Sequence, residues 1–218
     1  MDISAIFSAI STYGLAIVIS GLVLFFAIKF INVVYRAFEA KHGVKTHDEL
    51  ATHRNKVSAI ITNLLDRAAL KIHADRVYVF EFHNGSLSMG GLPFLKMTNT
   101  YEALAPGAKS ELHKREGMPF QLFHTFVDAI YAEDWLCLDV DDREKKYQPL
   151  VYSILEERNV KITIRCKITD LQRRVIGYLG IDYCNGTEVT REKAESYVGE
   201  MLSIATELGA LLSVNSKD

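Results

Sequence analysis

Glu81 and His83 stand two residues apart in the segment Arg76 to His83 (RVYVFEFH), a spacing that puts both side chains on one face of a strand. A carboxylate beside an imidazole there is a candidate for acid/base work or for the polar end of a binding site. The competing reading is local: Asn84 bonds its own backbone and Gly85 takes a positive φ, so that His83-Asn84-Gly85 only turns the chain. Ser86 to Gly91 (SLSMGG) offers backbone amides to an anion, but it lacks the Walker and GxGxxG spacings and runs into Leu-Pro rather than a helix. A phosphate cradle is therefore not expected. Lys161, Arg165 and Lys167 alternate along a later segment, with Arg173-Arg174 in the adjoining turn. Such a basic strip either draws an acidic lipid, a nucleotide or an acidic partner, or is a solvated face with the acidic turn Asp139 to Asp142 opposite.

Other chemistries lack their patterns. The seven histidines form no HExxH, and none has a cysteine at ligand spacing, so neither a metal nor a cofactor is expected. There is no GxSxG, and Cys166 falls on the apolar side of its segment as a small hydrophobe. Cys137, Cys166 and Cys184 are an odd, widely spaced set, which fits a reducing compartment rather than a disulfide framework. The 218 residues are 49% hydrophobic and 24% charged, with 25 Lys+Arg against 27 Asp+Glu, which excludes a disordered chain and a global basic field for nucleic acid. The chain is read as a non-enzyme.

The elements that must position these residues follow from periodicity. Val57, Ile60, Ile61, Leu64, Leu65, Ala68 and Ile72 recur at helical steps after a polar stretch, an amphipathic helix either continuous with the preceding apolar run or hinged from it at Gly43. Arg76 to His83 and Leu92 to Leu104 read as strands flanking the Gly-rich loop. Pro119 to Ala132 puts Phe120, Phe123, Phe126, Val127 and Ile130 on one helical side, Asp139 to Lys146 is a solvated charge cluster, and Pro149 to Arg158 is a short helix stopped by Asn159. Val160 to Thr169 alternates strictly, with Val160, Ile162, Ile164, Cys166 and Ile168 on one side. A polar turn, Asp170 to Arg173, joins it to Val175 to Cys184 as an antiparallel hairpin ended by Asn185-Gly186, and Thr190 to Val214 closes the chain as a helix. The order describes an α+β fold with an antiparallel sheet, the first and last helices side by side on one face.

Ahead of this domain, 26 consecutive residues from Ile3 to Ile28 carry no charge. As a helix the run is about 39 Å long, enough to cross the ~30 Å hydrocarbon core. Lys29, Arg36, Lys41 and Lys45 follow it and no basic side chain precedes it, so the positive-inside rule places the N-terminus outside and the C-terminal domain in the cytosol. The expected organisation is a transmembrane anchor over 1–35, a juxtamembrane helix or linker over 36–56 and an α+β domain over 57–215.

The run RVYVFEFHNG, the hairpin VKITIRCKITDLQRRVIGYLGIDY and the closing helix together resemble a GAF domain over roughly residues 45 to 215. Val175 to Asp182 is similar to that family's strand in which a polar turn leads into a hydrophobic-Gly-hydrophobic run. None of the three cysteines has a neighbouring histidine, as a bilin-attaching cysteine would, and the NKFDE pattern of cyclic-nucleotide-binding members is absent. FHNG followed by GLPFLKMTNTYE is similar to uncharacterised membrane-anchored phage proteins. One span with a globular C-terminal domain also resembles the holins of T-even phages, although those carry a cytosolic segment before the span and a periplasmic domain after it.

The resemblance implies a GAF-like antiparallel sheet flanked by helices and preceded by one transmembrane helix: a regulatory, ligand-binding signalling module at a bacterial or phage-host inner membrane. Its partners are expected to be the membrane, a small molecule, and a protein or a second copy through the terminal helices, with no nucleic acid. The alternative is a holin-like lysis protein. A ligand pocket is expected on the sheet face away from the terminal helices, around Phe82, His83, Asn84, Lys96, Arg165 and Asp182.

Overall fold

The computed structural model describes residues 11, 20, 23–34, 47–87, 93–142, 146–184 and 188–213. Residues 23–34 are helical (α1) and belong to a unit that runs to Ala51, while Thr52–Val214 is a second compact unit. No helix among the described residues is long and apolar enough to cross a membrane, and most of the uncharged run 3–28 lies outside them.

Helix α2 (His47–Lys71) leads into β1 (Arg76–Leu87) and β2 (Pro93–Leu104). Its apolar stripe is the expected one apart from Ile60, which points to solvent, and it ends in a Schellman-type turn with His73 in the left-handed region and Ala74 N–H bonded to Ala69 O at 3.1 Å. The middle holds β3 (Met118–Pro119), a 3-10 turn (Phe120–Phe123), α3 (His124–Ala132), β4 (Trp135–Asp139) and α4 (Pro149–Glu157). The hairpin β5 (Val160–Thr169) and β6 (Val175–Cys184) follows, then α5 (Arg191–Glu195), capped by the Thr190 side chain, and α6 (Val198–Leu212).

The six strands form one sheet in the order β3-β2-β1-β6-β5-β4, and every neighbouring pair is antiparallel. On one face Val77, Val79, Ile164, Cys166, Leu179 and Ile181 pack under α2 and α6 through Ile61, Leu65, Met201 and Leu208. Lys71 Nζ and Glu200 Oε1, 2.8 Å apart, tie these two helices together. On the opposite face Tyr78, Phe80 and Tyr178 pack under Phe123, Phe126, Val151 and Leu155 of the middle segment. Every strand of the β1–β6–β5 centre is therefore covered on both sides.

Several expected boundaries shift. Pro119 to Ala132 is not one helix, because Met118-Pro119 pairs with Lys96-Met97 at the sheet edge before the chain coils. The start of the expected charge cluster is a strand instead: Leu136 and Leu138 point inward, and Asp139 pairs with Ile162. β1 runs through Asn84-Gly85, with Asn84 opposite Leu95, so these residues do not turn the chain, and Gly85 is not among the glycines of positive φ. What Gly85 provides is room, since a β-carbon there would lie 2.6 Å from Phe94 O. The closing helix breaks at Ser196-Tyr197. The Gly43 hinge, 88–92 of the Gly-rich loop, Asn185-Gly186 and the last residues from 214 lie outside the described residues.

Candidate ligand-binding site

Strand alternation carries Arg76, Tyr78, Phe80 and Phe82 to the face covered by the middle segment, and does the same for Thr163, Arg165 and Lys167 on β5 and for Tyr178, Gly180 and Asp182 on β6. The register sets Arg76 opposite Asp182, Asp182 opposite Thr163 and Gly180 opposite Arg165. Five strand residues, Arg76, Tyr78, Thr163, Arg165 and Asp182, therefore converge under the cover. The sixth comes from a helix end. Asn159 takes a left-handed conformation after α4, which lets the chain drop into β5 and leaves Arg158 at the junction, its side chain buried.

Asp182 is fully buried at the centre of this convergence. Its Oδ2 lies 3.0 Å from Arg76 Nη1 and 2.9 Å from Arg158 Nη2, and its Oδ1 lies 3.1 Å from Arg165 Nη1. The Thr163 hydroxyl donates to Oδ1 at 2.6 Å and the Tyr78 hydroxyl donates to the same oxygen at 3.1 Å. Arg165 Nη1 also donates to the Thr163 hydroxyl and to Ile164 O. Arg76 reaches Glu102 Oε1 at 3.2 Å and donates to Lys109 O at 2.9 Å. The guanidiniums of Arg158 and Arg165 lie 4.9 and 5.0 Å from the Tyr78 ring centroid, a cation–π contact from each.

Burial alone would push the Asp182 carboxyl up, but Arg158, Arg165 and Arg76, with the Thr163 hydroxyl, outweigh it and hold the group well below the usual carboxylate range. Burial pushes the Tyr78 and Tyr178 hydroxyls up, so both stay neutral at physiological pH. At neutral pH the aspartate stays ionised and the tyrosines stay neutral, so none of them exchanges a proton there. They are a fixed electrostatic floor.

Above that floor is a cavity of about 40 Å³ lined by Tyr78, Tyr178, Arg158 and Arg165 together with apolar residues that include Met97, Met118, Phe123, Phe126, Ile154 and Leu155, and by Arg115. Arg115 is held by Glu157 at 3.2 Å and Glu111 at 3.5 Å. Space of this size holds a few water molecules or one small group.

The expected site residues divide between three places. Arg165 and Asp182 belong to the buried cluster, and Arg165 lines the cavity. Phe82, His83 and Asn84 line a different, open cleft at the far end of β1, with Phe120, Tyr131 and Arg174. Lys96, opposite His83 in the register, packs beside Gly85 and Gly117 and lines neither. Glu81 and His83 do not form a pair: Arg54 holds both Glu81 oxygens, at 2.5 and 2.9 Å, and His83 Nε2 meets the Thr98 hydroxyl at 2.8 Å. The basic strip also dissolves. Arg165 is buried, Lys167 pairs with Asp134 at 3.1 Å and Arg174 with Asp170 at 2.6 Å.

Arg76, Tyr78, Arg115, Arg158 and Thr163 went unmarked by motif and spacing. A usable signal exists for two of them. Arg76 and Tyr78 carry the polar groups of a strand face that continues with Phe80 and Phe82, opposite Val77 and Val79.

No protein-family model matches the chain, and no curated protein is detectably similar in sequence. Solved structures are similar in fold. The GAF domain region of a presumed membrane protein from Geobacter sulfurreducens superposes with a TM-score of 0.51 at 13% identity, over 74% of this chain and 95% of that one. The blue-light-absorbing form of the Thermosynechococcus elongatus PixJ GAF domain gives 0.51 at 12% identity, over 72% and 88%. A far-red-absorbing dark state with bound biliverdin IXa gives 0.52 at 14%, over 76% and 96%. The domain thus has the GAF-like α+β fold: an antiparallel sheet flanked by helices.

Proposed function

We propose that the chain is a membrane-anchored sensory module whose GAF-like domain binds a small molecule and passes the occupied state to a protein partner or a second copy, without catalysing a reaction. One observation carries the reading: a half-open cavity on the non-terminal-helix face of the sheet, floored by an arginine–aspartate–tyrosine cluster. A scaffold that needed only stability would be served as well or better by apolar packing there, because buried ion pairs repay their desolvation poorly. The neighbours of like fold include proteins that hold a bilin. Here the cavity, about 40 Å³, is far below the 300–1,000 Å³ of usual cofactor pockets, and none of the residues around it is a cysteine. The ligand is therefore a small one.

The anchor is supported by α1 as well as by composition. Over residues 23–34 the apolar side chains stand exposed all round the helix, with Lys29 the one charged residue, and such a helix finds its solvent in lipid. Basic residues after the run support the reading that the domain faces the cytosol. The lysis alternative gains no support from the fold or the comparisons.

The test is a thermal-shift screen of the purified full chain against nucleotides, organic acids, amino acids and apolar amines. A ligand at a hundred times its Kd raises stability by about 2.7 kcal/mol, a shift of several degrees. A screen in which no class moves the transition removes the sensory reading.

A further inference from the structure

We infer that the cavity receives the head of a small organic monocarboxylate, its carboxylate against Arg158 and Arg165 and its apolar body directed outward past Met118, Phe123 and Ile154. The inference rests on the ligand-binding reading above and adds the chemical class.

Charge is the first ground. Four guanidiniums, Arg76, Arg115, Arg158 and Arg165, meet three buried carboxylates, Glu102, Glu111 and Asp182, through ion pairs of 2.9–3.5 Å. Glu157, which also reaches Arg115, has its side chain 64% exposed, so water screens it. The cluster therefore holds one buried positive charge more than its carboxylates neutralise. A bound monoanion balances it, whereas a dianion overshoots.

Unmet hydrogen bonding is the second. The buried Nε atoms of Arg158 and Arg115, both on cavity-lining residues, have no acceptor. An ionised carboxylate presents two oxygens with about four acceptor positions and pairs with guanidinium in a two-pronged geometry.

Shape is the third. About 40 Å³ accommodates a group of roughly three non-hydrogen atoms, taking 10–15 Å³ for each, which is the size of a carboxylate. Outside it lies a larger groove of about 300 Å³ that shares Arg115, Met118, Phe123 and Ile154 with the cavity and adds the exposed Leu122 and Leu150. The four shared side chains form the neck between a charged floor and an apolar porch. Three of them, Met118, Phe123 and Ile154, are apolar, and methionine adapts its shape readily.

Isothermal titration of the full chain in a mild detergent with hexanoate, hexanamide, acetate and inorganic phosphate tests this. Hexanoate should bind saturably, hexanamide and phosphate at least about tenfold more weakly, and acetate more weakly for want of a body. Arg158→Met should remove the preference for hexanoate over hexanamide. Should that variant not fold, Met118→Trp, which fills the neck and leaves the arginines alone, should weaken hexanoate by a similar factor. Equal binding of hexanoate and hexanamide overturns the monocarboxylate while leaving a small-molecule sensor standing. Phosphate binding as tightly as hexanoate overturns it too, as does hexanoate binding undiminished in Met118→Trp. If none of the four probes binds, the monocarboxylate is excluded, and the wider screen decides separately whether any ligand is sensed.

Discussion

The ring of Tyr78 occupies the space that a side chain on Gly180 would need: a β-carbon there would lie 2.4 Å from Cε2 of the tyrosine. This contact lets a tyrosine on β1 lie across β6 and deliver its hydroxyl to Asp182, two residues further along. Gly180→Ala should push the ring off its seat, costing about 1–3 kcal/mol in a packed interior and lowering the melting temperature by roughly 2–10 °C. Thermal unfolding followed by near-ultraviolet dichroism reads both effects. An unchanged transition with an unchanged tyrosine band would show that the ring is free to shift.

Removing the central charge should be more damaging. Asp182→Asn leaves three guanidiniums without their shared anion and is expected to cost about 3–5 kcal/mol. The acid dependence has a definite sign. Because the folded carboxyl titrates below the usual range, its contribution is complete above about pH 4, where the unfolded group ionises, and declines as the pH falls further. The stability gap between wild type and Asp182→Asn should therefore be constant from pH 7 to pH 5 and narrow below pH 4. A gap that is the same at pH 2.5 and pH 7 contradicts the assignment.

The thiols should be slow in the native state. Burial pushes Cys137 and Cys166 up to about 12 and raises Cys184, so at pH 8 the first two hold on the order of a thousandfold less thiolate than a free cysteine. Iodoacetamide labelling followed by mass spectrometry should show little modification of either over minutes, and full modification in urea. Rapid native labelling at Cys166 would mean that its strand opens locally.

Topology needs a reporter that is reactive, which these cysteines are not. Asp128, exposed on α3, is a suitable position for one. In intact cells Asp128→Cys should resist a membrane-impermeant maleimide and become labelled once the membrane is permeabilised. Labelling of intact cells would put the domain on the outer side and reverse the assignment drawn from Lys29 and Arg36.

The ion pair between Arg54 of α2 and Glu81 of β1 is half in solvent, and Arg54 also covers the Tyr101 ring at 5.3 Å. A double-mutant cycle on Arg54→Ala and Glu81→Ala should give a coupling of about 0.2–1 kcal/mol that weakens in 1 M salt. A larger, salt-independent coupling would mark the pair as a structural hinge of α2.

Much of the fold is legible from local pattern, because β5 alternates strictly, a polar turn leads from it into β6, and α2 and α6 carry single apolar stripes. β4 is not, since five residues with tryptophan and aspartate at the ends make too short an alternation to separate from a loop. The site is half legible for a related reason. Arg165 and Asp182 can be placed on one sheet face from their strand positions, but whether that face is wet depends on α3, α4 and the loop before them, which nothing local ties to β5. Arg158 was hidden furthest: it lies 24 residues from Asp182 and enters the cluster only because Asn159 turns the chain. His83 and Asn84, which stand out in the sequence beside a glycine, lie within the β1–β2 pairing opposite Lys96 and Leu95 and line the open cleft at that end of β1.

The sheet order puts a two-residue strand, half of it proline, at one border and the five-residue β4 at the other. A foreign strand laid along β3 would find almost no free amide and carbonyl row to zip against. The β4 rim is the other open border, and sealing it with a proline is an engineering step toward keeping concentrated preparations dispersed.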